Sequence, residues 1–152
     1  MENRKRVLLI SSCGGHWVQM NRIVPAFEKH HLFFASTERE YGSTKPKGAF
    51  FAVPEASQTS AIWRVLWQAC IVLALVIRIR PHVILTTGAA PGYFALLFGK
   101  KLGAKTIWLD SIANVEIVSL AGRKAAKHAD LFLTQWPHLE ADGRPKFEGA
   151  VL

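Results

Sequence analysis

Cysteine is nearly missing from this 152-residue chain: only Cys13 and Cys70 occur, and neither belongs to a CxxC pair. That argues against a disulfide framework, a zinc ribbon or a dithiol redox site, and predicts two free thiols in a reducing compartment. The six histidines show no ligand spacing with acids or other donors, so no metal is expected. No GxGxxG follows the first strand and no GxxxxGK[ST] occurs anywhere, which counts against a dinucleotide or a P-loop nucleotide. A thiol phosphatase needs arginine six residues after its cysteine, where this chain has Gln19. No internal repeat, no linker and no cleavable signal core can be read, since MENRKR runs directly into VLLIS.

Acidic residues are also few, 11 against 19 Lys and Arg, giving a formal net charge of +8. The first 76 residues carry 9 basic and 5 acidic groups and the remainder 10 and 6, so each half is +4. A nucleic-acid arm would concentrate its charge and interleave aromatics with it. The even spread predicts a generally basic surface without a nucleic-acid partner, suited to anionic lipid or a phosphate-bearing ligand. Half the residues are apolar, and the length suits one compact domain over 1–152, with a loose tail from 137.

Strand and helix patterns alternate, which predicts an α/β fold: a Rossmann-like parallel sheet with helices on both faces. Strands are expected at Val7–Ser11, Leu32–Ala35, Phe50–Val53, Val83–Thr86, Lys105–Leu109 and Leu131–Thr134. Apolar residues recur helically at Trp17, Met20, Ile23, Val24 and Phe27. The polar stretch 36–48 reads as a loop, and Ser119–His128 as a short helix. Residues 61–79 form an apolar helix that Ser60 can cap and Pro81 ends. Its uninterrupted apolar run is too short to span a bilayer. It is either buried or interfacial, with Trp63 and Trp67 at the boundary and Arg64, Arg78 and Arg80 at headgroup depth.

Two loops, 12–16 and 87–92, share one construction: strand, glycines, helix start. Helix N-termini present unpaired N–H groups that favour anions, and glycine removes the side chain that would hold an anion away. In a doubly wound sheet both loops lie at the carboxyl edge, where ligands bind. His16 starts a helix there, as a general base or as a structural hydrogen-bond donor. Asp110 and Ser111 end a strand at the same edge, where Asp110 is either functional or a cap for the following turn.

The segments SSCGGHWVQM, TTGAAPGYFALLFGKKLGAKTIWLDSIANV and SLAGRKAAKHADLFLTQWP together resemble the oligosaccharide-biosynthesis family that contains the membrane-associated subunit of the dolichol-linked GlcNAc transferase. Bacterial relatives serve capsule and exopolysaccharide assembly. The likeness runs from Arg6 to Leu139 and is most specific over Asp110–Pro137. A weaker similarity reaches the peptidoglycan GlcNAc transferase.

The resemblance implies the N-terminal half of a GT-B glycosyltransferase, which takes a lipid-linked acceptor while a separate subunit binds the nucleotide sugar. It implies that Gly14, Gly15, Thr87 and Gly88 meet the acceptor's pyrophosphate and that Ser111 and Asn114 line the cleft. His16 and Asp110 are then the catalytic candidates, with no cofactor. Where the family usually has glutamate and arginine, this chain has Asp110 and Asn114. Eukaryotic members begin with a spanning segment that the residues here do not repeat. Attachment is therefore expected to be peripheral, on the cytoplasmic face of the membrane, through helix 61–79 and basic surface. Two rival readings stay open: a non-catalytic anchoring subunit, and a free-standing nucleotide-binding enzyme.

Overall fold

The structure is a computed structural model, and it describes residues 4–44, 48–57 and 59–151. Part of the expected 36–48 loop and one residue just ahead of helix 61–79 lie outside the described residues. Seven parallel strands form one sheet in the order β3-β2-β1-β4-β5-β6-β7. They are β1 Arg6–Ser11, β2 His31–Ser36, β3 Ala49–Ala52, β4 Val83–Thr86, β5 Lys105–Leu109, β6 Leu131–Thr134 and β7 Lys146–Phe147. The helices are α1 Gly15–Ile23, a single turn α2 Tyr41–Thr44, α3 Ile62–Ile79, α4 Ala89–Lys101 and α5 Leu120–Ala125.

The alternation of side chains along β1 divides the core in two. Leu8 and Ile10 pack under α3, α4 and α5 with Val72, Val76, Leu96, Trp108 and Phe132. Val7 and Leu9 pack on the other face against Trp17 and Met20 of α1, with Leu32, Phe34 and Leu85. Helices therefore cover both faces, as the near-continuous apolar strands require. Strand order reverses between β1 and β4, so the chain leaves these two neighbours in opposite lateral directions and a crevice opens between their carboxyl ends.

Three local expectations need correction. Ala61, not Ser60, is the N-cap of α3, and it makes no side-chain cap bond; the Ser60 hydroxyl instead accepts from Ser57 N at 3.0 Å. The segment after Pro137 supplies β7, which pairs with β6, and the Arg144 guanidinium donates to the carbonyls of Ala126 and Ala129. Two basic side-chain bonds of this kind are invisible to periodicity, which is why the tail reads as loose. Stretch 36–48 also contains the turn α2.

α3 is 18 residues long with a mean hydropathy of 1.9, enough to cross a membrane by length and composition alone. Its second half does not have that freedom, because Val72, Val76 and Ile79 are buried in the sheet core. The helix ends where Arg80 turns left-handed (φ 47°) ahead of Pro81, matching the expected stop.

α4 packs tightly on the sheet at Gly92, where a Cβ would collide with the Thr86 side chain. Gly92→Ala should therefore destabilise the domain by about 1–3 kcal/mol through overpacking, read as a lowered midpoint in urea unfolding.

Candidate functional site

Parallel strands put every strand end at one edge, so the loops after β1, β2, β4 and β5 gather there. Gly14 takes a left-handed conformation (φ 71°) and turns the chain from β1 into α1. A Cβ on Gly14 or Gly15 would meet nothing within 4 Å, and both residues are exposed. The turn is held from beneath. Cys13 N donates to Thr37 Oγ1 at 3.1 Å and Gly14 N to the Tyr41 hydroxyl at 3.1 Å. Tyr41 in turn stacks on Trp17, centroids 4.7 Å apart.

The second glycine loop is joined directly to the first. Thr87 Oγ1 donates to the His16 carbonyl at 2.6 Å, and His16 Nδ1 lies 2.8 Å from the Thr87 carbonyl. A carbonyl oxygen only accepts, so Nδ1 carries the proton and a neutral ring has its lone pair on Nε2. Nε2 has no hydrogen bond among the described residues and is not sealed off from solvent. Gly88 (φ 130°) lies under the ring: a Cβ there would come 2.8 Å from His16 Cε1 and 3.0 Å from Nδ1. The next residue, Ala89, is a non-glycine at φ 67°, a strained conformation held because Thr86 Oγ1 accepts from Gly88 N at 3.1 Å.

These contacts redistribute the expected roles. Gly14 and Gly15 leave open space beside the start of α1. Gly88 is buried and makes room for the imidazole, not for a phosphate. Thr87 is fully buried and its hydroxyl is spent on the His16 carbonyl.

Asp110 is 1 % exposed and accepts from Trp108 Nε1, Asn114 Nδ2, and both the amide and the hydroxyl of Ser119. A carboxylate so occupied has no free lone pair facing a reactant, so the expectation of a reacting Asp110 is corrected to that of a positioning group. Asn114 serves it as a donor, and Gly122 leaves room for it, since a Cβ there would lie 2.8 Å from Asp110 Oδ1. Ser111 is buried and accepts from Gln19 Nε2 (3.3 Å) and Ala113 N (3.3 Å).

Sequence reasoning missed a buried amide ladder beneath the site. Gln135 Nε2 donates to Gln19 Oε1 at 2.7 Å and to the Asp110 carbonyl at 3.0 Å. Gln19 Oε1 also accepts from Ile112 N at 3.2 Å, and Gln135 Oε1 accepts from Val151 N at 2.8 Å. The ladder fixes α1, the loop after β5 and the end of the chain relative to one another. The only sequence sign was a glutamine on the apolar side of α1, beside Met20. Among the described residues no cluster of His, Cys, Asp or Glu could hold a metal ion.

The profile described as "Oligosaccharide biosynthesis protein Alg14 like" matches residues 52–151. A similar protein is the mouse "UDP-N-acetylglucosamine transferase subunit ALG14", 26 % identical over 170 aligned positions that cover 89 % of this chain and 77 % of the relative. The Yarrowia lipolytica protein of that name is 32 % identical over 65 % of this chain and 47 % of its own. In three dimensions the chain resembles Acinetobacter baumannii MurG with a TM-score of 0.76 at 9 % identity, over 94 % of this chain and 45 % of that one. A UDP-GlcNAc 2-epimerase from Methanocaldococcus jannaschii gives 0.63 at 9 % identity, over 85 % of this chain and 39 % of that one. The chain thus spans less than half of these solved structures, and its fold is that of one half of a GT-B glycosyltransferase.

Replacing Asp110 by Asn should cost about 2–4 kcal/mol of unfolding free energy, because an amide turns a donor toward groups that must themselves donate. Chemical denaturation checks this; a loss below about 0.5 kcal/mol would show that the four bonds add little.

Proposed function

Because the chain belongs to the Alg14-like family of oligosaccharide biosynthesis proteins, we propose that it is the acceptor-binding subunit of a two-component inverting glycosyltransferase. The observation that carries this reading is the His16–Thr87 lock: it fixes the imidazole with Nδ1 as donor and leaves Nε2 without a hydrogen bond among the described residues, beside an open glycine turn at a helix N-terminus. The acceptor is a sugar on a lipid diphosphate. Its phosphates lie against Gly14 and Gly15, where the first amides of α1 and its dipole offset their charge without a metal.

In the transfer, His16 Nε2 takes the proton of the acceptor hydroxyl. The hydroxyl oxygen attacks the anomeric carbon of a UDP-sugar, of UDP-GlcNAc or UDP-glucuronate type, held by a partner subunit. The new C–O bond forms as the bond to UDP breaks, UDP leaves with the electron pair, and the anomeric centre inverts. The relatives' description as UDP-N-acetylglucosamine transferase subunits supports the donor class and the need for a partner. Exposed apolar surface supports a partner too: on the sheet face away from α4, Leu131 is 36 % exposed.

Attachment is peripheral, on the cytoplasmic face of the membrane. Parallel topology starts α3 at the same edge as the site, and its first turns expose Ile62, Trp63, Leu66 and Trp67, with Arg64 lying over Trp63. Indoles and an arginine around aliphatic side chains suit the headgroup boundary of an anionic bilayer.

A second reading, a non-catalytic anchoring subunit, is favoured by the withdrawal of Asp110 from the solvent edge. His16→Ala, purified with the partner, separates the two. The catalytic reading expects turnover to fall about 100-fold or more with folding intact, and near-normal turnover assigns the chemistry to the partner. Attachment is checked by sedimentation with anionic vesicles: Leu66→Asp should lower the bound fraction several-fold, and an unchanged fraction overturns the role of α3.

A further inference from the structure

The net charge is even along the chain but uneven in space. The amino edge of the sheet, opposite the glycine turns, gathers Lys5 and Arg6 where β1 begins, Arg78 and Arg80 where α3 ends, and Lys101 and Lys105 around the turn from α4 into β5. The acid nearest β5, Asp130, is paired with Lys100. Glu28 follows α1 on the opposite face of the sheet, and Asp142 precedes β7, the far edge strand. The carboxyl edge instead exposes Glu40, Glu55 and Glu116 against Arg39 and Arg64.

A groove of about 480 Å³ opens among these cations, with Val76, Ile77, Pro81 and Leu102 as its apolar wall and Arg6 and Arg80 beside them. Resting on the peripheral attachment read above, we propose that this groove holds the phosphate of an anionic phospholipid and that α3 lies along the membrane surface over its whole length.

The uncovered face of α3 leads to the groove. Trp63, Trp67, Cys70, Ala74 and Ile77 are exposed and recur every three or four residues, so they share one side of the helix, opposite the buried Val72 and Ile79. The stripe is about 21 Å long and ends on Ile77, which lines the groove with Leu102; the two are 50 % and 59 % exposed. Nucleic acid or an acidic protein would meet the cations and leave this stripe in water. A helix at headgroup depth uses both.

The cations of the groove are set out for a phosphate. Arg6 Nε donates to the Ile79 and Arg80 carbonyls, both at 2.9 Å, and its Nη2 to the Arg80 carbonyl at 2.7 Å. The guanidinium thus closes the carboxyl end of α3 and is held in place, while its Nη1 makes no hydrogen bond among the described residues. Arg80 stands left-handed (φ 47°), where glycine or asparagine costs least, and its exposed side chain is in no ion pair among the described residues. Planar guanidinium groups bind phosphate oxygens through paired N–H donors. The acyl chains then leave over Ile77 and Leu102 into the bilayer.

The full chain is sedimented with vesicles of phosphatidylcholine alone and with vesicles that also contain phosphatidylglycerol. A cation held at an anionic leaflet is worth about fivefold in affinity, so the anionic vesicles should bind about 10-fold or more tightly. Arg80→Gln combined with Lys101→Gln should remove most of that preference and leave binding to the neutral vesicles as it was. Arg123→Gln combined with Lys124→Gln takes the same charge from the last turn of α5 and should keep the preference. Ile77→Asp should lower binding to both kinds of vesicle several-fold, as a helix lying flat requires. A preference that survives the Arg80 and Lys101 changes, or falls equally with those at Arg123 and Lys124, overturns the groove; unchanged binding by Ile77→Asp overturns the orientation. A single-stranded oligonucleotide bound as tightly as the anionic vesicles, and released by the same paired change, overturns the lipid in favour of nucleic acid. Binding to neither kind of vesicle overturns the attachment as well.

Discussion

The two hydrogen bonds exchanged by His16 and Thr87 tie the loop after β1 to the loop after β4. The sheet alone brings these loops side by side, because strand order reverses between β1 and β4 and ligands in such sheets meet the crevice this leaves. Proximity is not registry, however. The Thr87 carbonyl chooses which imidazole nitrogen carries the proton, and the absence of a side chain at Gly88 lets the ring lie flat enough to reach it. The backbone strain at Ala89 belongs to the same device, being the cost of bringing a helix start this close to a neighbouring loop.

Below that pair the molecule is held by buried polar groups whose partners are complete. The carboxylate of Asp110 gathers four donors from β5, from the loop that follows it and from the start of α5. Gln19 and Gln135 carry the linkage across to α1 and to the last described residues. In a low-dielectric interior a satisfied network of this kind is stiff, and a single missing partner is costly. The acid at this strand end is therefore part of the frame, while His16 Nε2 is left without a hydrogen bond among the described residues.

α3 serves two environments along one axis. Its later turns enter the core through Val72, Val76 and Ile79, while its early turns leave Trp63, Leu66 and Trp67 uncovered at the site's own edge. A helix that is apolar all round but covered only in part has an unpartnered face. In the function proposed above, its start at the same sheet edge as the glycine turn is what would join a lipid-borne acceptor to a membrane surface.

The repeating strand and helix periods determine the layers of this protein, because burial on both faces leaves β1, β4 and β5 as unbroken apolar runs. Three of the six expected strands, Val83–Thr86, Lys105–Leu109 and Leu131–Thr134, coincide with expectation and the other three lie within one residue of it at each end, since the turn residues around them are local. The glycine turns at Gly14 and Gly88 and the placing of His16 are legible for the same reason. What each does is not. Whether Gly88 faces a ligand or the His16 ring depends on a residue about 70 positions away, and even the nearer donors of Asp110 and the strand partners of Lys146 and Phe147 are set by how the loops fold back on the sheet. Such partners are chosen when the strands assemble, and only the tertiary structure records that choice.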